Sequence, residues 1–327
     1  MPSSEDMGRI IDLSGAVGTR TVLIRDLPEA VTFDHVPLGA RLHLNNAAQS
    51  TTVRFDGAEG ADDRATVEVL GKCGRLSLAQ IEHVRIEANA SGRIVLDADT
   101  LRTLTIDARR PLTIDLSGTL APLERVDASA SQGRIHFTAA EAEPLDLTGG
   151  SGPDMIKLSG GRDNRVATGA EVDDVATGSG NDFIDLGAGD DKVDAGGGLN
   201  VITTGPGRDT IVIGAAGNSS LAEGAGLTTV TDFDGEGGDK LWFKFASDGR
   251  LADEDALAAI ETRIAALNAS AGLRDALHAA RELTAGGDAG WFVWHGSTYV
   301  FVDHPSDPLV HLQSTVPLSA ENFVWGE

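Results

Sequence analysis

The stretch that decides the fold is Thr177-Gly178-Ser179-Gly180-Asn181-Asp182-Phe183-Ile184-Asp185 followed by Leu186-Gly187-Ala188-Gly189-Asp190-Asp191-Lys192-Val193-Asp194. These are two copies of one nine-residue unit, with glycine at positions two and four, aspartate at six and a β-branched residue at eight. The frame runs outward in both directions. Position two is filled by Gly150, Gly160, Gly169, Gly178, Gly187, Gly196 and Gly205. Position six is filled by Asp154, Asn164, Asp173, Asp182, Asp191, Asn200 and Asp209, and position eight by Ile156, Val166, Val175, Ile184, Val193, Ile202 and Ile211. The step is nine residues throughout, apart from one extra residue between the first and second units. A fixed period of this kind is the mark of a stacked architecture.

Each position has a physical task. Glycine permits the positive φ of a tight turn and leaves carbonyl oxygens free to face an ion. A carboxylate at position six adds the hard anionic oxygen that calcium prefers. The β-branched residue at position eight suits a very short strand whose side chain packs on its counterpart in the next coil. Two units close one coil, so turns on one side recur with every second unit and an ion can sit between successive turns. Turn formation alone would also favour aspartate and glycine, but it requires no partner two units away.

The expected calcium ligands are therefore Asp154, Asp173, Asp191 and Asp209 on one side and Asn164, Asp182 and Asn200 on the other. Backbone oxygens would come from the turns holding Gly150, Gly152, Gly169, Gly178, Gly180, Gly187, Gly189, Gly196, Gly198, Gly205 and Gly207. An amide supplies oxygen without charge, so weaker sites are expected on the second side. Asp232, Asp234 and Asp239 form a lesser candidate in an acidic turn, where solvation is an equal reading.

Residues 149–214 resemble the RTX (repeats-in-toxin) nonapeptide arrays, whose GGxGxDxUx pattern is a calcium-binding repeat. Units beginning at Gly149, Thr177, Leu186 and Thr204 match all four positions, whereas those at Ser159 and Thr168 lack the position-four glycine, with Arg162 and Glu171 there instead. The resemblance implies several Ca2+ ions and a parallel β-roll. The tail carries Trp291-Phe292-Val293-Trp294-His295-Gly296-Ser297-Thr298-Tyr299-Val300 and the ending Leu318-Ser319-Ala320-Glu321-Asn322-Phe323. In these features it is similar to the carboxy-terminal region of type I secreted RTX proteins, including RTX-containing bacterial surface-layer proteins. That similarity implies an uncleaved export signal, type I export machinery and a place outside a Gram-negative cell.

Outside the repeat, the first 148 residues alternate apolar and polar residues over short runs. The triplets Val84-Arg85-Ile86, Leu104-Thr105-Ile106 and Glu124-Arg125-Val126 recur at a step of 20. This rhythm suits stacked parallel strands, with a β-sandwich as the alternative. Two helices are expected after residue 250, with Leu257, Ile260, Ile264 and Leu267 on one face of the first and Leu273, Leu277 and Leu283 on the second. A hairpin turning at His295-Gly296 and a strand at Leu309–Leu312 should follow. The expected fold is mainly β: a right-handed parallel β-solenoid in which an irregular β-helix over 1–148 leads into a calcium roll over 149–214. A small α+β cap and secretion region over 215–327 completes it.

Composition narrows the function. The 327 residues carry a net charge of -24, which disfavours nucleic acid and anionic membranes as partners. Between Gly149 and Lys240 there are 16 acidic and 6 basic residues, a local balance of -10. Cys73 is the sole cysteine, which excludes an intrachain disulfide and suggests a small buried hydrophobe. No apolar run of about 18 residues marks a membrane span. Residues Met1–Arg9 offer neither a basic nor an apolar segment of a cleaved signal, so export should use another address. No H-E-x-x-H and no G-x-S-x-G is present, and no catalytic residue is assigned. These observations favour a secreted, non-enzymatic structural protein of a bacterial cell-surface assembly that self-assembles on calcium. The alternatives are an adhesin or glycan-binding module for a surface polysaccharide and, third, a polysaccharide lyase or epimerase.

Overall fold

In the run His83-Val84-Arg85-Ile86-Glu87-Ala88, successive side chains must point to opposite faces of a strand. Val84, Ile86 and Ala88 are accordingly buried, and Arg85 lies outward. The computed structural model describes residues 9–326, apart from 17, 28, 48, 117–121, 141–142, 215–226, 245–249, 268–270, 285–287 and 303–308. The chain divides into two compact units, one of residues 1–162 with 168–170, the other of 163–167 with 171–327.

The first unit is a parallel β-solenoid. Alternate strands build two sheets: one through Arg9–Asp12, Val31–Pro37, Thr51–Asp56, Lys72–Leu78, Gly92–Asp97, Leu112–Leu116, Ile135–Ala139 and Met155–Leu158. The other runs through Thr21–Arg25, Arg41–Asn45, Arg64–Val69, His83–Ala88, Thr103–Ala108, Arg125–Asp127 and Asp146–Thr148. Every registered pair in this unit is parallel, which removes the sandwich alternative. Stacking brings like side chains together, as in Val84 beside Leu104, Ile86 beside Ile106 and Ile114 beside Phe137. The core is a continuous apolar column, in which Ile86, Ile94, Leu96, Leu101, Leu104, Ile106 and Phe137 are fully buried.

One expected register is corrected. The step of 20 holds for Val84 and Leu104, but Leu104 pairs with Val126 rather than Glu124. Keeping the step would have aimed Glu124 into the apolar column, so the pleat selects Val126 and leaves Glu124 outside, paired with Arg102. Outward side chains form ion pairs, such as Arg85 with Glu87 on its own strand and with Asp107 on the neighbouring one. Cys73 is buried, its thiol directed at the carbonyls of Leu44 and Gly71, and burial pushes its pKa up.

The second unit has the same wiring with shorter strands. Asp174–Ala176, Lys192–Asp194, Thr210–Ile213, Lys240–Phe243 and Phe323–Trp325 form one parallel sheet. Phe183–Ala188, Val201–Thr203, Thr228–Val230 and Leu309–Leu312 form the other, which then turns antiparallel through Ser297–Val302 and Asp288–Trp294. The hairpin turns at His295 and Gly296, both at positive φ, the combination that a type I′ two-residue turn requires.

Among the described residues two α-helices occur, α1 over Glu254–Ala265 and α2 over Leu273–Arg281. Asp253 caps α1 by accepting from the Ala256 amide at 2.8 Å. Ile260 and Ile264 of α1 and Leu277 of α2 pack with Phe292, Phe301 and Leu309 of the sheet. Leu267 and Leu283 lie just past the two helix ends and pack against the same cluster from there. None of the described helices is long and apolar enough to cross a membrane. The carboxy-terminal Phe323–Trp325 adds as a strand beside Lys240–Phe243, stacking Trp325 on Phe243 at 5.4 Å.

Candidate calcium-binding turns

The position-six side chains stack in two rows. In one, the Oδ1 of Asp191 accepts from the Asp173 amide at 2.7 Å and the Oδ1 of Asp209 accepts from the Asp191 amide at 2.8 Å. In the other, Asp182 accepts from the Asn164 amide at 2.7 Å and Asn200 from the Asp182 amide at 3.0 Å. Each side chain thus reaches back one coil, to its counterpart two units earlier. The cause is the frame itself: position eight points inward, so position six does too, at the corner where the strand begins. Asp173, Asp182, Asp191, Asn200 and Asp209 are all fully buried.

The glycines are required by the stacking distance. Gly207 adopts φ +155°, and a Cβ there would overlap the carbonyl oxygen of Gly189 in the coil before. Gly196 at φ +64° would likewise overlap the carbonyl of Gly178. Only a residue without a side chain lets the turns approach this closely.

This arrangement concentrates acceptors. Each position-six carboxylate spends one oxygen on the backbone ladder, and the Oδ2 atoms of Asp182, Asp191 and Asp209 are buried with no hydrogen-bond partner among the described residues. A buried carboxylate oxygen left unsatisfied is costly unless a cation meets it. Burial, opposed by backbone hydrogen bonds, raises the pKa of Asp182, Asp191 and Asp239. Asp209 is pushed up to about 7, first by burial and further by the charges of Asp239, Asp191 and Asp232. Calcium fits this donor set, being a hard ion that takes six to eight oxygens, carbonyls included. Among the described residues no three His, Cys, Asp or Glu side chains converge on one point, so backbone oxygens must supply much of any coordination.

The expected residues do not all take part equally. In the first unit, Asp154 accepts from the Ile135 amide through Oδ1 and from the Gly150 amide through Oδ2. Gly150 and Gly152 lie against the Ser131 and Gln132 carbonyls, and Gly169 against that of Gly150. Asp232 accepts from the Thr204 amide and hydroxyl and from the Gly205 amide, while Asp234 accepts from the Gly237 amide. Each therefore braces a turn of its own, and with Asp239 they do not meet as a trio.

Asp239 continues the carboxylate row instead. Its Oδ1 accepts from the Asp209 amide at 2.9 Å, and Lys240 and Leu241 sit beside Thr210 and Ile211. Asp234-Gly235-Glu236-Gly237-Gly238-Asp239-Lys240-Leu241-Trp242 is thus a further copy of the nonapeptide, complete at positions two, four and six. Reading the frame from Asp234 would have found it. The insertion that separates Asp209 from Asp239, longer than the two units between the other rungs, concealed it. A second feature escaped the sequence reading: position five forms its own exposed ladder. The Asn181 amide donates to Asp163, that of Leu199 to Asn181, and that of Arg208 to Asp190.

Residues 168–202 and 176–211 match the model of the RTX calcium-binding nonapeptide repeat (4 copies). No curated protein sequence matches the chain. The matched segment is the one whose turns bury the unsatisfied carboxylate oxygens, so geometry and pattern agree on the ion. The chain thus carries RTX calcium-binding repeats over residues 168–211, and repeats of this type bind Ca2+.

Proposed function

We propose that this is a secreted, non-enzymatic structural protein of a bacterial cell-surface assembly, which folds and self-assembles when calcium fills its turns outside the cell. The observation that carries the reading is the set of buried, unsatisfied oxygens on Asp182, Asp191 and Asp209. Where free calcium is low, these carboxylates repel one another and their coils lack closure. At extracellular calcium, weak sites fill and binding free energy becomes folding free energy. A chain that is loose inside and rigid outside suits type I export from a Gram-negative cell. In this reading, residues 1–148 are the irregular solenoid that meets neighbouring copies. Residues 149–214 are the calcium roll, with the position-six residues Asp154, Asn164, Asp173, Asp182, Asp191, Asn200 and Asp209 as its metal-facing set. Residues 215–327 cap the roll and carry the export signal.

A second reading, a glycan-binding adhesin, draws on one feature of the first unit. Arg64, Thr66, His83, Arg85, Thr103 and Thr105 line a shallow polar groove on the outward face of the strands. Arg85 is held by Glu87 and Asp107, and His83 by Asp62 and Thr103. Purified full-length protein brought from chelator into millimolar calcium separates the readings. Ordered sheets or filaments in the electron microscope, with rising light scattering, are expected. A stable monomer that retains polysaccharide would favour the adhesin. Cleavage or epimerisation of a uronic-acid polymer would overturn both.

A further inference from the structure

We propose that the side-chain amide of Asn200 stands in for a calcium ion, closing its own turn and removing that turn from the calcium-binding set. The inference rests on the calcium reading of the repeat and divides the turns that it treats alike. Asn200 is fully buried. Its Oδ1 keeps the ladder contact of every position-six residue, accepting from the Asp182 amide at 3.0 Å. Its Nδ2 turns inward and donates to the carbonyls of Ala195 at 3.3 Å and Gly197 at 3.4 Å, positions one and three of the same unit.

The aspartate units share the frame and the ladder, so Oδ2 of Asp191 or Asp209 occupies the place of Nδ2 in Asn200. The carbonyls at positions one and three of those units belong to Leu186 and Ala188 for Asp191 and to Thr204 and Pro206 for Asp209. A carboxylate brings no proton of its own to such carbonyls, and both Oδ2 atoms are without a hydrogen-bond partner among the described residues. A cation between carboxylate and carbonyls resolves the conflict. In the 195–200 turn two N–H groups resolve it within the chain, at no cost of burying charge. The sequence shows only a carboxylate replaced by its amide and suggests a weaker ion site. The geometry assigns a turn that forms without metal, beside which the calcium-dependent turns can order.

Two substitutions in the full chain test this. Asn200→Asp replaces the amide by a carboxylate, and Asp191→Asn installs the substitute where an ion belongs. Native mass spectrometry in millimolar calcium should count one more ion for Asn200→Asp than for the parent and one fewer for Asp191→Asn. In calcium-free buffer, the folded far-ultraviolet signal should fall for Asn200→Asp and rise for Asp191→Asn. Asp191→Asn carries the test even should the first variant fold poorly, because it introduces a residue that the same frame already accommodates. An unchanged ion count in Asn200→Asp, or a loss of folded signal in calcium-free Asp191→Asn, overturns the proposal while leaving calcium binding intact. A parent protein that binds no calcium sinks the calcium reading itself, a result distinct from either.

Discussion

The coil from His83 to Arg102 and the coil from Asp182 to Leu199 have the same wiring and bury different chemistry. The first encloses Val84, Ile86, Ile94, Leu96 and Leu101, with Ala88 and Ala98 filling the corners. The second encloses Ile184, Leu186 and Val193, and its corners hold the carboxylates of Asp182 and Asp191. At roughly 1.5–3 kcal/mol for each large apolar side chain, the shorter coil forgoes about 3–6 kcal/mol of burial and adds two desolvated acids. A parallel stack can therefore be stabilised in two ways. Coils with wide apolar interiors draw their stability from burial, whereas coils narrowed to a pair of nonapeptides exchange core for charge that a bound cation would offset. Sensitivity to calcium is then a property of coil length, set by how much apolar side chain fits inside.

The largest effect should come from removing calcium. In a calcium-free buffer, hydrogen exchange read by mass spectrometry should become rapid over 171–213, while peptides covering 84–108 stay protected. Both segments opening together on chelation would show that the apolar coils also lean on the ion, and the contrast would fail. Glycine substitution sharpens the same contrast at the backbone. Gly57 has φ +75° with nothing near its would-be Cβ, so Gly57→Ala should cost the left-handed strain alone, about 1–2 kcal/mol. Gly207→Ala meets the same kind of strain plus the Gly189 carbonyl, and overpacking should add about 1–3 kcal/mol. Equal losses in the two melts would mean that the turns are not held as closely as the stacking requires.

Acidity should move the calcium-free and calcium-loaded proteins in opposite directions. Asp209 titrates near 7 when folded and near 3.9 when unfolded, so the folded chain holds the extra proton between these values. Its contribution to the calcium-free fold is complete below about pH 3.9 and is lost as pH rises through about 7. Melts without calcium should therefore occur at higher temperature at pH 5.5 than at pH 8. With calcium the proton competes for the same oxygen, and affinity at this turn should weaken by up to about tenfold per pH unit below 7. A calcium-free melt that climbs with pH would contradict the placement of Asp209 in an unsatisfied pocket.

Much of this is legible from residue order alone, for a reason peculiar to repeats. Asp182, Asp191 and Asp209 can be placed because a nine-residue frame permits no slip: one residue more would turn Ile184 and Val193 outward. Where the frame loosens, reading falters. Leu104 meets Val126 over a step of 22, which only the demand for an apolar inward residue reveals. Asp239 reads as an acidic residue but not as the next member of the row, because a long insertion precedes its ladder contact to Asp209. The difference between Asp191 and Asn200 is visible as a letter, yet its meaning lies in where Nδ2 points, and no pattern encodes that direction.

The smallest effect belongs to the outer surface of the first unit. Arg85 lies 2.9 Å from Asp107 and 3.1 Å from Glu87, and its side chain is 43% exposed. Exposed pairs of this kind gain little, because water screens the charges and two long side chains lose freedom. Arg85→Ala should lower stability by no more than about 1 kcal/mol, by urea melts, with little change between low and moderate salt. Its value is as a control on the whole contrast. A loss of about 3 kcal/mol or more that salt abolishes would make charge pairing, not the apolar column, the support of these coils. The first unit would then share the electrostatic dependence of the second, differing only in using its own cations where the narrow coils use calcium.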